Sequence, residues 1–300
     1  MTSNSLPSPM PEGWMAIDFG AGLSPRLGAI MSARAGGISQ APYAQCNLGD
    51  HVQDDPQAVA HNREVLAAQL QARPAWLTQV HGNRVIRLTH DVSRGDDVNP
   101  ADLNGSLAQP VADGAFTTEP GLACTVMVAD CLPLLLAAPE GRGVAALHAG
   151  WRGLAGAGPM VGRGIVHIGV AALCEAASCD PAELSVWLGP CIGPRHFEVG
   201  ADVLIGFGVD PQGAMPHPRF KRRQPDLGAN DGSLGAGATA EAPPKWLADL
   251  PGLARDILQG RGVQRISGGE WCTVTDASRF FSFRRDRVTG RQAAAICLRG

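Results

Sequence analysis

The chain has 300 residues, 45% of them hydrophobic and 18% charged, with a formal net charge of -3. That balance describes a globular chain rather than a disordered one, and it offers no basic field to hold nucleic acid or an anionic membrane. No window reaches the roughly 18–20 uninterrupted apolar residues of a membrane-spanning helix, so a small molecule is the expected partner.

Residues 1–13 carry neither a basic n-region nor an apolar h-region, and read as a disordered lead rather than a secretion signal. Eight cysteines scattered without a compact framework argue against a secreted disulfide scaffold. The expectation is a cytoplasmic protein, monomeric or weakly homo-oligomeric.

A first strand is predicted over 14–19, and residues 31–39 run into a Gly36-Gly37 turn. Asp54-Asp55-Pro56 supplies an N-cap and a first-turn proline. Val59, Leu66 and Leu70 then recur at helical spacing, so a helix carrying Asn62, Arg63 and Glu64 runs to Gln71. A strand over 76–80 ends at His81-Gly82-Asn83 before a second one over 85–88. Residues 91–109 are loop-like, and strands follow over 113–118 and 122–128.

Two short apolar runs, 134–138 and 144–147, flank a Pro/Gly turn at 139–143 and read as adjacent buried strands. Such a hairpin brings Cys131, at the start of one strand, close to His148, at the end of the other. A Gly-rich segment at 154–158 leads to a helix over 160–177. A strand over 184–188 ends in Gly189-Pro190-Cys191-Ile192-Gly193, and a short helix spans 201–207. Residues 210–244 read as a flexible insertion, with Lys221-Arg222-Arg223 a solvated cluster. A helix over 246–260 and strands over 263–266, 280–283 and 291–298 close the chain. Without strict βαβ alternation, the fold class is α/β of the α+β type, one domain over 14–300.

His81, Cys131 and His148 each follow an apolar run that ends at a common cleft. Two imidazoles and a thiolate suit zinc with a fourth position open for water or substrate, and the same donors suit copper. Cys131 and His148 alone would also serve a Cys-His hydrolase as nucleophile and base. Cys191 is a small residue in a tight turn, or a fourth ligand that closes a structural site. His196 is expected to line a pocket. His51, His61, His90, His167 and His217 are given no role. Arg152, ahead of a Gly-rich segment and a helix, suits an anion such as phosphate, although the Gly-Lys-Ser/Thr end of a P-loop is absent. Arg284-Arg285 either clamp an anion or form salt bridges. Asp130 is a candidate acid, or else orients a ligand.

These motifs occur in family order: Ser32-Ala33-Arg34-Ala35-Gly36-Gly37-Ile38-Ser39, Asn47-Leu48-Gly49-Asp50-His51, Asn62-Arg63 and Gln79-Val80-His81-Gly82, then Ala129-Asp130-Cys131-Leu132-Pro133, His148-Ala149-Gly150-Trp151-Arg152-Gly153, Gly189 to Gly193 and Phe281-Ser282-Phe283-Arg284-Arg285. From residue 33 to 298 the chain resembles the laccase-domain, or multicopper polyphenol oxidase-like, family. That resemblance implies a layered α/β sandwich related to cysteine-hydrolase folds, and His81, Cys131 and His148 as ligands of a metal, normally zinc. It implies phosphorolysis of adenosine, inosine and S-methyl-5'-thioadenosine, and deamination of adenosine, with nucleoside and phosphate as the partners. Cys131, His148, Arg152 and Asp130 are the expected catalytic residues. Some family members are described as peptidoglycan editing factors. The His-x-His pairs of true laccases are absent, Phe283 stands where Tyr is usual, and the 210–244 insertion is longer than typical.

Overall fold

A computed structural model of the chain describes residues 9–20, 24–91, 97–100, 109–213, 216–223 and 243–300. In chain order these form β1 (Met15–Ala16), β2 (Leu27–Met31), α1 (Pro56–Leu70), β3 (Arg73–Ala75), β4 (Val85–Leu88), β5 (Asp97–Val98), β6 (Gly114–Thr117), β7 (Leu122–Val128), β8 (Leu132–Ala137) and β9 (Val144–Ala149). There follow α2 (Trp151–Ala155), α3 (Ile165–Ala177), β10 (Ser185–Leu188), β11 (Glu198–Val199), α4 (Ala201–Gly206) and β12 (Phe220–Arg222). The last elements are β13 (Trp246–Ala248), α5 (Leu250–Gly260), β14 (Arg265–Gly268), α6 (Phe283–Asp286) and β15 (Gln292–Leu298).

The strands form a five-stranded sheet in the order β1-β2-β15-β7-β3, a seven-stranded sheet β14-β10-β8-β9-β6-β4-β5, and a small sheet β11-β13-β12. Period-two alternation decides how they stack. On β8, Leu135 and Ala137 meet Cys124, Val126 and Val128 of β7 between the two large sheets. Leu134 and Leu136 point the other way, into a core with Val170 and Leu173 of α3 and Leu253 and Leu258 of α5. On the far side, Ala123 and Met127 of β7 pack on Leu66 and Leu70 of α1. The layers therefore run α1, five-stranded sheet, seven-stranded sheet, then α3 with α5. With both faces covered, β7, β8 and β9 read as near-continuous apolar runs, interrupted by Thr125 and His148. Each Leu buried in them contributes roughly 1.5–3 kcal/mol.

The α1 prediction holds: Asp55 caps the helix, its side chain accepting from Gln57 N–H, with Pro56 in the first turn. The β8–β9 hairpin also forms, with Leu132 opposite Ala149 and Pro133 opposite His148. Several expectations differ. The strand expected over 76–80 lies earlier, at Arg73–Ala75. Beyond it the Gln79 side chain replaces the ladder, donating to Met127 O (2.9 Å) and accepting from Met127 N–H (2.8 Å). Residues 246–248 form β13, pairing with β11 and β12, and α5 begins only after the Asp249 cap. Residues 280–283 form no strand, because the Ser282 side chain accepts from Arg285 N–H and starts α6. The helix expected over 160–177 begins at Ile165.

Residues 1–8 of the expected lead, and 214–215 and 224–242 of the expected insertion, lie outside the described residues. Within that insertion, residues 220–222 are a strand, with Phe220 buried. Among the described residues, no single helix is long and apolar enough to cross a membrane.

Candidate metal centre

Three chain reversals deliver the site. His81 follows the Gln79 clamp and adopts a left-handed backbone, φ 61°. Cys131 sits between the end of β7 and the start of β8. Its neighbour Asp130 holds φ at 99°, a conformation rare for a non-glycine residue and found mostly where surroundings enforce it. Here the enforcement is visible: one Asp130 carboxylate oxygen accepts from Thr273 Oγ1 (2.6 Å), and the other accepts from the backbone N–H of Arg284 (2.6 Å). His148 lies near the end of β9, buried, one residue before Ala149 closes the strand.

The ligating atoms of His81, Cys131 and His148 all lie within 4.8 Å of one another. Cys131 Sγ is 3.6 Å from His81 Nε2, and the two imidazole rings meet edge to face at 4.8 Å. Among the described residues this is the one grouping of three or more such donors able to hold a metal ion. Gly150 makes the approach possible. A Cβ there would lie 2.6 Å from His81 Cδ2 and 3.2 Å from Cys131 Sγ.

The residue that organises the group is Asp113, which sequence reading passed over. Its carboxylate is fully buried and accepts from His148 Nδ1 (2.8 Å) and from three successive backbone N–H groups, Val80 (3.2 Å), His81 (2.8 Å) and Gly82 (2.7 Å). Burial alone would raise its carboxyl; the His148 hydrogen bond and charge, with the backbone donors, bring it below its ordinary value. Because Asp113 accepts the hydrogen bond from His148 Nδ1, the ring presents Nε2 toward Cys131, the orientation usual for a ligand histidine. The Asp130 carboxylate bonds to Thr273 and Arg284, while it is Asp113 that bonds to His148. In the sequence Asp113 is only an aspartate ahead of a short strand, without a distinguishing spacing.

Electrostatics follow from the packing. Burial would raise the Cys131 thiol, but His148 and His81 more than offset it and bring it to about 6. Burial would lower His148, but the Cys131 thiolate and Asp113 raise it to about 9. Each charge favours the other, so the pair is biased toward thiolate and imidazolium, and the thiolate is the form that binds metal.

This group sits in a cavity of about 610 Å³ whose lining includes Met127, Asp130, Arg152, Phe283, Arg284 and Arg291. That volume is in the range of small-molecule sites. Arg152 lies exposed at the lining with its guanidinium stacked on Trp151, 4.4 Å from the ring. Phe283 is half exposed in the wall. His51, given no role, also lines the cavity. Arg285 does not. It bonds to Thr273 O, Phe280 O and Asp286, a structural role. His196 lines a different, smaller cavity. Cys191 stands apart from the three candidate ligands: it is fully buried, donates to Ile192 O (3.6 Å), and burial pushes its thiol well up.

A layered α/β fold with two histidines and a cysteine converging in an open cavity is the class of protein that fold and geometry define. The chain belongs to the family described as multi-copper polyphenol oxidoreductase laccase, whose model matches residues 28–299. It is 38% identical over 287 residues to a Pseudomonas aeruginosa protein named purine nucleoside phosphorylase PA4543, covering 96% of this chain and 99% of that one. It is 38% identical over 278 residues to Escherichia coli purine nucleoside phosphorylase YfiH, covering 91% and 94%. Among solved structures, Neisseria meningitidis NMB0706 superposes with a TM-score of 0.73 at 36% identity, over 96% of this chain and 100% of that one. YlmD from Geobacillus stearothermophilus gives 0.73 at 31% identity, over 96% and 97%.

Proposed function

We propose that this chain is a zinc-dependent purine nucleoside phosphorylase acting on adenosine, inosine and S-methyl-5'-thioadenosine, and that it also deaminates adenosine. The observation that carries the reading is the convergence of His81, Cys131 and His148 in a cavity large enough for a nucleoside. The relatives named purine nucleoside phosphorylase support it. Two imidazoles and a thiolate are a donor set that suits zinc; His81 Nε2 and Cys131 Sγ lie 3.6 Å apart, and all three donors lie within 4.8 Å of one another. When bound, the ion supplies Lewis acidity and lowers the pKa of water beside it.

The chain's own residues do the rest. Asp113 keeps the proton on His148 Nδ1 and fixes the ring. Arg152 at the cavity wall holds phosphate through charge-assisted hydrogen bonds, positioned to attack the anomeric carbon as the purine leaves. Phe283 and Met127 offer apolar and aromatic surface for the purine face. Asp130, with both carboxylate oxygens committed to Thr273 and Arg284, sets the backbone that presents Cys131 rather than protonating the purine. Eight free thiols suit a reducing compartment, and we place the enzyme in the cytoplasm.

The test is turnover of adenosine and inosine with and without phosphate, wild type against Cys131→Ala. Phosphate-dependent release of the base from wild type and its loss in the variant are expected. Equal activity in the variant would defeat the metal-site mechanism. A second reading, phenol oxidation by copper at the same donors, is favoured by the family's description and the soft thiolate. Elemental analysis of protein from its native host separates the two. A third, a Cys131–His148 hydrolase of peptidoglycan precursors, is favoured by the thiolate–imidazolium pair. A hydrolase survives chelation; the zinc enzyme does not. A closed, non-catalytic zinc site with Cys191 as fourth ligand is not what the geometry supports.

A further inference from the structure

A second cysteine–histidine couple lies outside the metal centre. Cys272 Sγ is 3.7 Å from His196 Nδ1 and accepts from the backbone N–H of Gly193 at 3.2 Å. The two segments are locked side by side, Cys191 bridging to Cys272 in parallel with Thr273 N–H donating to Cys191 O (2.9 Å). The couple lines a cavity of about 320 Å³ that shares no lining residue with the larger one. Trp271 gives this cavity an apolar wall, and Arg195 and Glu270, both exposed, give it a cation and a carboxylate beside Asp249, whose own carboxylate is paired with Arg219.

We propose that Cys272 is a thiol–disulfide exchange site for low-molecular-weight disulfides built from amino acids. Arg195 and Glu270 match the carboxylate and ammonium groups such a molecule carries, and a cavity of about 320 Å³ has the volume for one half of it. The step balances without another reagent. The Cys272 thiolate attacks one sulfur of the disulfide, a new S–S bond forms, and the old S–S bond breaks. His196 takes up the Cys272 thiol proton as the thiolate forms and passes it to the departing thiolate. Burial would raise the Cys272 thiol, yet the Thr275 hydroxyl and the N–H groups of Thr275, Gly193 and Val274 bring it below its ordinary value. Outside the metal centre, the other partly exposed thiols are placed oppositely: burial raises both Cys174, to about 12, and Cys179.

The experiment uses the full chain and its Cys131→Ala variant, so that the outcome does not depend on the metal-site reading. Each is incubated with oxidised glutathione near neutral pH and followed by intact mass and peptide mapping, with melting temperature as the fold control. In Cys131→Ala one glutathionyl group on Cys272 is expected, formed about tenfold or more faster than on Cys174 or Cys179 and removed by dithiothreitol; the full chain carries the same adduct, with a second on Cys131 when metal is absent. Cys272→Ser should show no such adduct, and His196→Gln should form it several-fold more slowly at an unchanged melting temperature. Labelling that favours Cys174 or Cys179, or a rate unaffected by His196→Gln in a folded variant, overturns the assignment.

Discussion

Replacing Asp113 by Asn tests the organisation of the metal centre with almost no change in volume. The carboxylate accepts four hydrogen bonds, from His148 Nδ1 and from the N–H groups of residues 80, 81 and 82. An amide offers one acceptor oxygen, and its NH₂ faces either a backbone donor or the imidazole N–H. At least one buried donor then loses its partner, at about 1–3 kcal/mol, and the charge assistance to the others is lost as well. We expect the metal-free fold to lose roughly 2–4 kcal/mol on that basis. Zinc affinity should fall about 10–100-fold, the usual cost of removing a partner that orients a ligand histidine. Competition with a chromophoric chelator reads the affinity, and urea unfolding reads the stability. The Asp113 carboxyl titrates lower folded than unfolded. Its stabilisation is therefore fully present above the unfolded value of about 4 and disappears as pH falls through the folded value. A variant that binds zinc within threefold of wild type would refute the bracing role.

Metal-free protein should alkylate at Cys131 with iodoacetamide along a pH profile centred near 6 rather than near 9, and added zinc should suppress the reaction. Gly150→Ala puts a Cβ against His81 and Cys131, so purified protein should carry well under one equivalent of zinc by elemental analysis. Arg152→Ala should raise the KM for phosphate by about tenfold or more, the worth of a charge-assisted contact. It should leave adenosine deamination, which uses no phosphate, within about twofold; an equal loss in both reactions would place Arg152 elsewhere in the mechanism.

Sequence alone determined those parts of the protein that local chemistry decides. The cap and proline at Asp55-Pro56 start α1 whatever surrounds them, and the apolar runs around the 139–143 turn can bury their backbone only by pairing, which brings Cys131 toward His148. The run from His148 to Gly153 carried the family resemblance. Boundaries at 246 and 280 were misjudged because Trp246 and Phe280 are apolar in either state. The caps at Asp249 and Ser282, and the strands available to pair with residue 246, decide which forms.

Only the tertiary structure decided which carboxylate matters. Asp130 is the neighbour of Cys131 in sequence, but its side chain turns away to Thr273 and Arg284, residues more than a hundred positions further on. Asp113 meets His148 because β6 and β9 pair in register, Gly114 opposite Leu147, and it meets His81 because the Gln79 clamp turns the chain there. Hydrogen bonds between distant segments depend on sheet register, and register is settled by the packing of whole layers, which no local pattern contains.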